Sequence, residues 1–161
     1  MSSTLTPRAA ADATRPAVAP PFAGAVDARG PQFAAALTSL VLVAVLLLPP
    51  APALGLLAVQ AALFAIGALR GVQSTPYAWL FRTVVRPRLA PTREWEAPEP
   101  PRFAQAVGLG FALVGAVALA AGATVLGQVA VGLALVAALL NAVFAFCLGC
   151  EVYLLVKRAT A

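Results

Sequence analysis

From Phe103 to Cys150 the chain reads FAQAVGLGFALVGAVALAAGATVLGQVAVGLALVAALLNAVFAFCLGC, without one Asp, Glu, Lys or Arg. Roughly 17 to 25 apolar residues cross the hydrocarbon of a bilayer as a helix, so this run is long enough to do so twice. Ala121, Gly122 and Ala123 supply a turn inside it, which predicts two spans, 103–120 and 125–149. Between Pro31 and Leu69 the chain is equally free of charge. Pro49, Pro50 and Pro52 interrupt helical hydrogen bonding there and predict a turn between spans 33–48 and 53–69. The expected fold class is therefore all-α: a polytopic membrane helical bundle with four transmembrane helices in two hairpins.

Composition agrees with this reading. Hydrophobic residues make up 61% of the 161 and charged residues 11%, an apolar excess that a water-soluble domain cannot bury. The formal net charge of +5 is assigned to topology rather than to nucleic acid. Arg8, Arg15 and Arg29 precede the first span. Arg70, Arg82, Arg86, Arg88, Arg93 and Arg102 lie between the second and third, and Lys157 and Arg158 follow the fourth. In a four-span topology all of these fall on one side, which the positive-inside rule makes the cytoplasm. The expectation is a multi-pass plasma-membrane protein with both termini cytoplasmic and the lipid bilayer as its first partner. Residues 1–25, rich in Ala, Pro, Ser and Thr, read as a disordered tail without the apolar run of a cleaved signal peptide.

The loop 70–102 has its own pattern. Tyr77, Leu80, Phe81 and Val84 recur at helical spacing, with Trp79 as an interfacial anchor and Arg82 and Arg86 on the other face. This predicts a short interfacial helix over 77–85, with Arg82, Arg86 and Arg88 as contacts for lipid headgroups or an acidic partner. Pro87 ends it, and 91–101 reads as an extended linker. The two halves also resemble each other: Pro31-Gln32-Phe33-Ala34 opens the first span and Pro101-Arg102-Phe103-Ala104 the third, as expected of a parallel internal duplication.

Chemistry is confined to a few residues. The chain has no histidine, which excludes a Ser/His/Asp hydrolase. Its two cysteines, Cys147 and Cys150, lie on one helical face at a separation a disulfide tolerates. Two thiols alone do not complete a zinc or iron–sulfur site, so no metal and no cofactor is expected; only a homodimer would bring four together. Glu151, next to Cys150, follows where haem attachment would need histidine, and is a candidate proton partner for the thiols. If the fourth helix runs unbroken to Val156, roughly 48 Å at 1.5 Å per residue, the pair lies toward a helix C-terminus beside a carboxylate. Both disfavour thiolate, so the expected pair is attacked by a partner rather than attacking fast. Gln60 and Asn141 read as interhelical hydrogen-bonding amides, and Gly108, Gly110 and Gly115 as close-packing positions.

Several blocks together resemble a family of small membrane proteins common in actinobacteria, domain of unknown function 4395. They are Val26-Asp27-Ala28-Arg29-Gly30-Pro31 with Phe33, Ser74-Thr75-Pro76-Tyr77 with Leu80-Phe81 and Val85-Arg86-Pro87, Pro101-Arg102-Phe103-Ala104-Gln105, and Asn141 to Tyr153 with Phe146-Cys147-Leu148-Gly149-Cys150-Glu151. The resemblance spans roughly Val26 to Arg158. It implies the same architecture and, since members are described beside thioredoxin-like or sulfur-transfer proteins, a context of sulfur chemistry. The functional expectation is a thiol-disulfide or sulfur-relay component using Cys147 and Cys150, meeting a thioredoxin-like or sulfurtransferase partner. The contrasting expectation is a non-enzymatic scaffolding subunit, with a small-solute transporter ranked lower for want of polar residues in the spans.

Overall fold

The computed structural model describes residues 20–92 and 94–160, so residues 1–19 of the tail expected over 1–25 lie outside the described residues. Four long helices dominate: α1 (Arg29–Leu47), α2 (Pro50–Arg70), α4 (Glu99–Ala120) and α5 (Thr124–Phe144). A short α3 (Pro76–Leu80) lies in the central loop and an amphipathic α6 (Leu148–Ala159) follows α5. The four long helices are long and apolar enough to cross a membrane. Their outward side chains include Leu40, Leu47, Leu69, Val117, Val125 and Phe144, each more than two-thirds exposed to the surroundings of the bundle. A surface so apolar suits lipid.

The prolines act differently from the expectation. Pro50 and Pro52 lie within the first turn of α2, and only Leu48 and Pro49 make the turn. A first turn has no acceptors for its N–H groups, so proline loses nothing there. Pro31 in α1 and Pro100 and Pro101 in α4 follow the same logic. At the other hairpin Gly122 takes φ 78°, while Gly122 N–H donates to Leu119 O and Ala123 N–H to Ala118 O, closing α4 with a Schellman-type turn.

The hairpins do not pack mainly on themselves. α1 packs chiefly on α5 and α2 on α4, the arrangement that an approximate two-fold exchanging the hairpins would give. The stretches after each hairpin follow it too. Phe33 of α1 meets Phe81 at a centroid distance of 5.8 Å, and Phe103 of α4 meets Tyr153 of α6 at 5.7 Å. Phe33 and Phe103 are the matching positions of the two similar sequence blocks.

The core comprises Leu42, Val45, Leu57, Phe64, Ala112, Val131 and neighbours. Close approach depends on small residues. A Cβ on Gly115 would lie 3.1 Å from Val131 Cγ2, and one on Gly127 would lie 2.7 Å from Leu119 Cγ. Gly108 faces Phe64 with equal closeness, whereas Gly110 has open space beside it and is not a packing position. Gln60, almost fully buried, donates to Thr38 Oγ1 at 3.4 Å and accepts from the Tyr77 hydroxyl at 3.0 Å, which ties α1, α2 and α3 together.

One end of the bundle is closed by a clasp that periodicity did not predict. Two-residue strands β1 (Val26–Asp27) and β2 (Trp95–Glu96) pair antiparallel, so the expected linker is anchored there. Asp27, buried, accepts from the Arg29 backbone N–H, from Arg29 Nε at 3.0 Å and Nη2 at 2.9 Å, and from Thr92 Oγ1 at 3.1 Å. Burial raises the pKa of this carboxyl, but the hydrogen bonds from Arg29 and Thr92 and the guanidinium charge outweigh burial and hold it below its ordinary value. Arg102 Nε and Nη2 donate to Ala68 O and Leu69 O, satisfying carbonyls at the end of α2.

Candidate functional site

The fourth span does not continue through the cysteines. α5 stops at Phe144 because Ala145 adopts the left-handed conformation (φ 53°, ψ 25°), with its N–H on Asn141 O and Leu140 O. The chain then runs non-helically through Phe146, and Cys147 becomes the N-cap of α6. Its Sγ accepts from the Cys150 backbone N–H at 3.3 Å. Nothing in the apolar run Ala142 to Leu148 signals this break, since alanine rarely takes positive φ.

The break reverses the electrostatic expectation. Cys147 and Cys150 stand at the N-terminus of α6, not toward a C-terminus, so the partial positive charge of the helix end favours sulfur as thiolate. The two are disulfide-bonded, with Cα atoms 5.2 Å apart, and both are half-buried. Cys150 lies in the first turn of α6, where its N–H would otherwise lack an intrahelical acceptor. Leu148 and Phe146, on either side of Cys147, are exposed.

Gly149 brings the pair against the rest of the bundle. A Cβ there would lie 2.7 Å from Ala104 Cβ and 2.8 Å from Ala104 Cα. α6 therefore docks its first turn directly on α4, and Tyr153 on Phe103 extends the contact one turn further. Lys157 Nζ stands 5.9 Å from the Tyr153 ring centroid, and with Arg158 it places positive charge at the helix end of opposite polarity.

Glu151 is exposed on the first turn of α6, with its backbone N–H on Cys147 O. It is thus adjacent to the pair in the fold as in the chain. The loop arginines are elsewhere. Arg82 donates to Gln73 O at 2.8 Å, Arg86 Nε stands 4.0 Å from Asp27 Oδ2, and Arg88 bonds Val84 O. They belong to the clasp and to α3's continuation, which packs on α1, while the cysteines pack on α4. That continuation is not one regular helix: after Leu80 it widens to a π-type turn over Phe81–Val85 and then tightens over Arg86–Arg88. Phe81 is buried on Gly30 and Phe33, and Trp79 is exposed. No group of three or more potential metal ligands occurs among the described residues.

Four apolar spans with a capped cysteine pair at the loop end of the bundle define a small polytopic membrane protein. The chain belongs to the family described as Domain of unknown function (DUF4395), whose model matches residues 26–158. It matches no curated protein and no solved structure.

Proposed function

We propose that this protein is a thiol-disulfide or sulfur-relay component of the plasma membrane, working through Cys147 and Cys150 on the cytoplasmic face with a thioredoxin-like or sulfurtransferase partner. The observation that carries the reading is the position of the pair: two half-buried sulfurs at Cα distance 5.2 Å on the N-terminus of a helix. A purely packed cysteine has no need of that setting.

In the exchange, a partner thiolate attacks Cys150 Sγ and the Cys147–Cys150 bond breaks. Its electron pair leaves on Cys147 Sγ, the better leaving sulfur because the Cys150 N–H and the helix end stabilise it. The partner's second thiol, on losing its proton, then displaces Cys150. The pair gains two electrons and two protons overall and the partner becomes a disulfide. Glu151 is suited to passing one proton between water and the released sulfur. Arg82, Arg86 and Arg88 hold the loop against the inner leaflet.

The contrasting reading, a scaffold in which the bond merely staples the start of α6, is favoured by the close fit of Gly149 on Ala104. The two are separated by alkylating native membranes with a mass-tagged maleimide after acid quenching, before and after an oxidant pulse and then a thioredoxin system. The relay requires the pair to cycle between disulfide and dithiol. A pair that stays oxidised throughout makes the bond a staple, a pair that stays reduced leaves two packed thiols, and either result ends the relay reading.

A further inference from the structure

A cavity of about 120 Å³ opens at the loop end of the bundle, between the start of α1, the strand pair and the continuation of α3. Its apolar wall includes Val26, Pro31, Val72 and Phe81. Its polar lining is unbalanced. Arg82 and Arg86 both face it, and the one carboxylate there, Asp27, is already neutralised by Arg29 at 2.9 Å. Arg82 has one Nη on Gln73 O and Arg86 approaches Asp27 only through Nε, so both guanidinium groups retain donors. Trp95 also lines the cavity, and its indole N–H is buried without an acceptor among the described residues. That N–H has no free surface, so a ligand in the cavity meets the indole ring, which adds to the apolar wall.

We infer that this cavity binds an oxyanion, a carboxylate or phosphate, attached to a compact apolar group. The oxyanion takes the free donors of Arg82 and Arg86, and the apolar part lies along Val26, Pro31, Phe81 and the Trp95 ring. Size limits that part: an apolar cavity of about 150 Å³ holds a benzene ring. Two sources share the chemistry, a small soluble acid and the phosphate headgroup of an anionic lipid whose chains remain outside. The site is separate from the cysteine pair and does not rest on the relay reading.

The test uses the full chain in phosphatidylcholine nanodiscs carrying Trp79→Phe, which leaves Trp95 as the only tryptophan. Its emission is followed while benzoate or inorganic phosphate is added, and separately while phosphatidylglycerol replaces part of the lipid. A saturable change is expected in at least one arm; a soluble-arm response identifies a soluble acid, and a response to phosphatidylglycerol alone identifies the lipid headgroup. Arg82→Gln with Arg86→Gln is expected to weaken binding by roughly tenfold or more, as loss of charged hydrogen bonds implies. Because Arg86 also approaches Asp27, Arg82→Gln alone serves as a milder variant, with roughly fivefold weakening expected. No saturable change in any arm, or midpoints unaltered in all these variants, would overturn the inference.

Discussion

Gly149 lies against Ala104 so closely that a single added methyl group would stand 2.7 Å from the Ala104 Cβ. Of the two residues between the cysteines, Gly149 is therefore the one that allows α6 to reach α4. Thiol accessibility and helix docking are thereby coupled at one position.

Gly149→Ala is expected to push the first turn of α6 away from α4, with a loss of about 1–3 kcal/mol typical of overpacking. After reduction, both cysteines should react faster with maleimide than in the parent. Ala104→Gly placed on the same chain should restore slow labelling only in part, because it removes the methyl that collides but leaves the Ala104 Cα, 2.8 Å from the added carbon, in place. Thermal unfolding in detergent and labelling kinetics check this; labelling unchanged by Gly149→Ala would show that α6 does not rest on Ala104.

The spans and their pairing into hairpins were legible because charge disappears from two long runs, and lipid tolerates no other reading of them. The cysteine pair was legible as a pair. Its setting was not: the helix break depends on one alanine at φ 53°, which no residue type announces, and the electrostatics of the sulfurs reverse with it. The clasp escaped for a related reason. Its strands are two residues each, too short for alternation, and Asp27 and Thr92 become neighbours only once the loop folds back. Gly127 was passed over because its near contact, Leu119, lies across a hairpin whose register only the structure fixes.

Single-cysteine variants test the setting of the sulfurs. With Cys150→Ser, Cys147 retains its place at the helix cap and the Cys150-position N–H still points at its sulfur. With Cys147→Ser, serine takes over the cap and Cys150 loses it. Iodoacetamide should therefore alkylate Cys147 roughly two- to fivefold faster than Cys150 near neutral pH, the range a helix-end charge supports. Equal rates would mean that the cap contributes nothing to thiolate formation.

Asp27 makes the clasp sensitive to acid. Its pKa lies below the ordinary value of 3.8 in the folded chain, so its contribution to stability is complete above that value. As pH falls through the ordinary value toward the lower folded one, the contribution is lost. Asp27→Asn should cost about 1.5–3 kcal/mol at pH 7, the range for hydrogen bonds to a charged group. The gap between parent and variant should narrow as pH falls below 3.8 and close once the carboxyl is protonated in the folded chain as well. Unfolding midpoints measured in detergent from pH 2 to 7 give the answer, and a gap independent of pH would remove the carboxylate's charge from the account.

Tyr77 and Gln60 connect the loop to the buried middle of the bundle. Tyr77→Phe leaves Gln60 Oε1 buried without its donor, while Gln60→Leu leaves both the Tyr77 hydroxyl and Thr38 without their partner. Each change alone should destabilise by about 0.6–2 kcal/mol, since hydrogen bonds between membrane helices are modest on average and unpaired buried groups add to the loss. Together they should cost less than their sum, because the second change removes a group the first has already stranded. A double-mutant cycle on unfolding in mixed micelles measures that coupling directly. Strict additivity would mean that Tyr77 is held by its ring alone and that α3 is tied to the bundle through Phe81 instead.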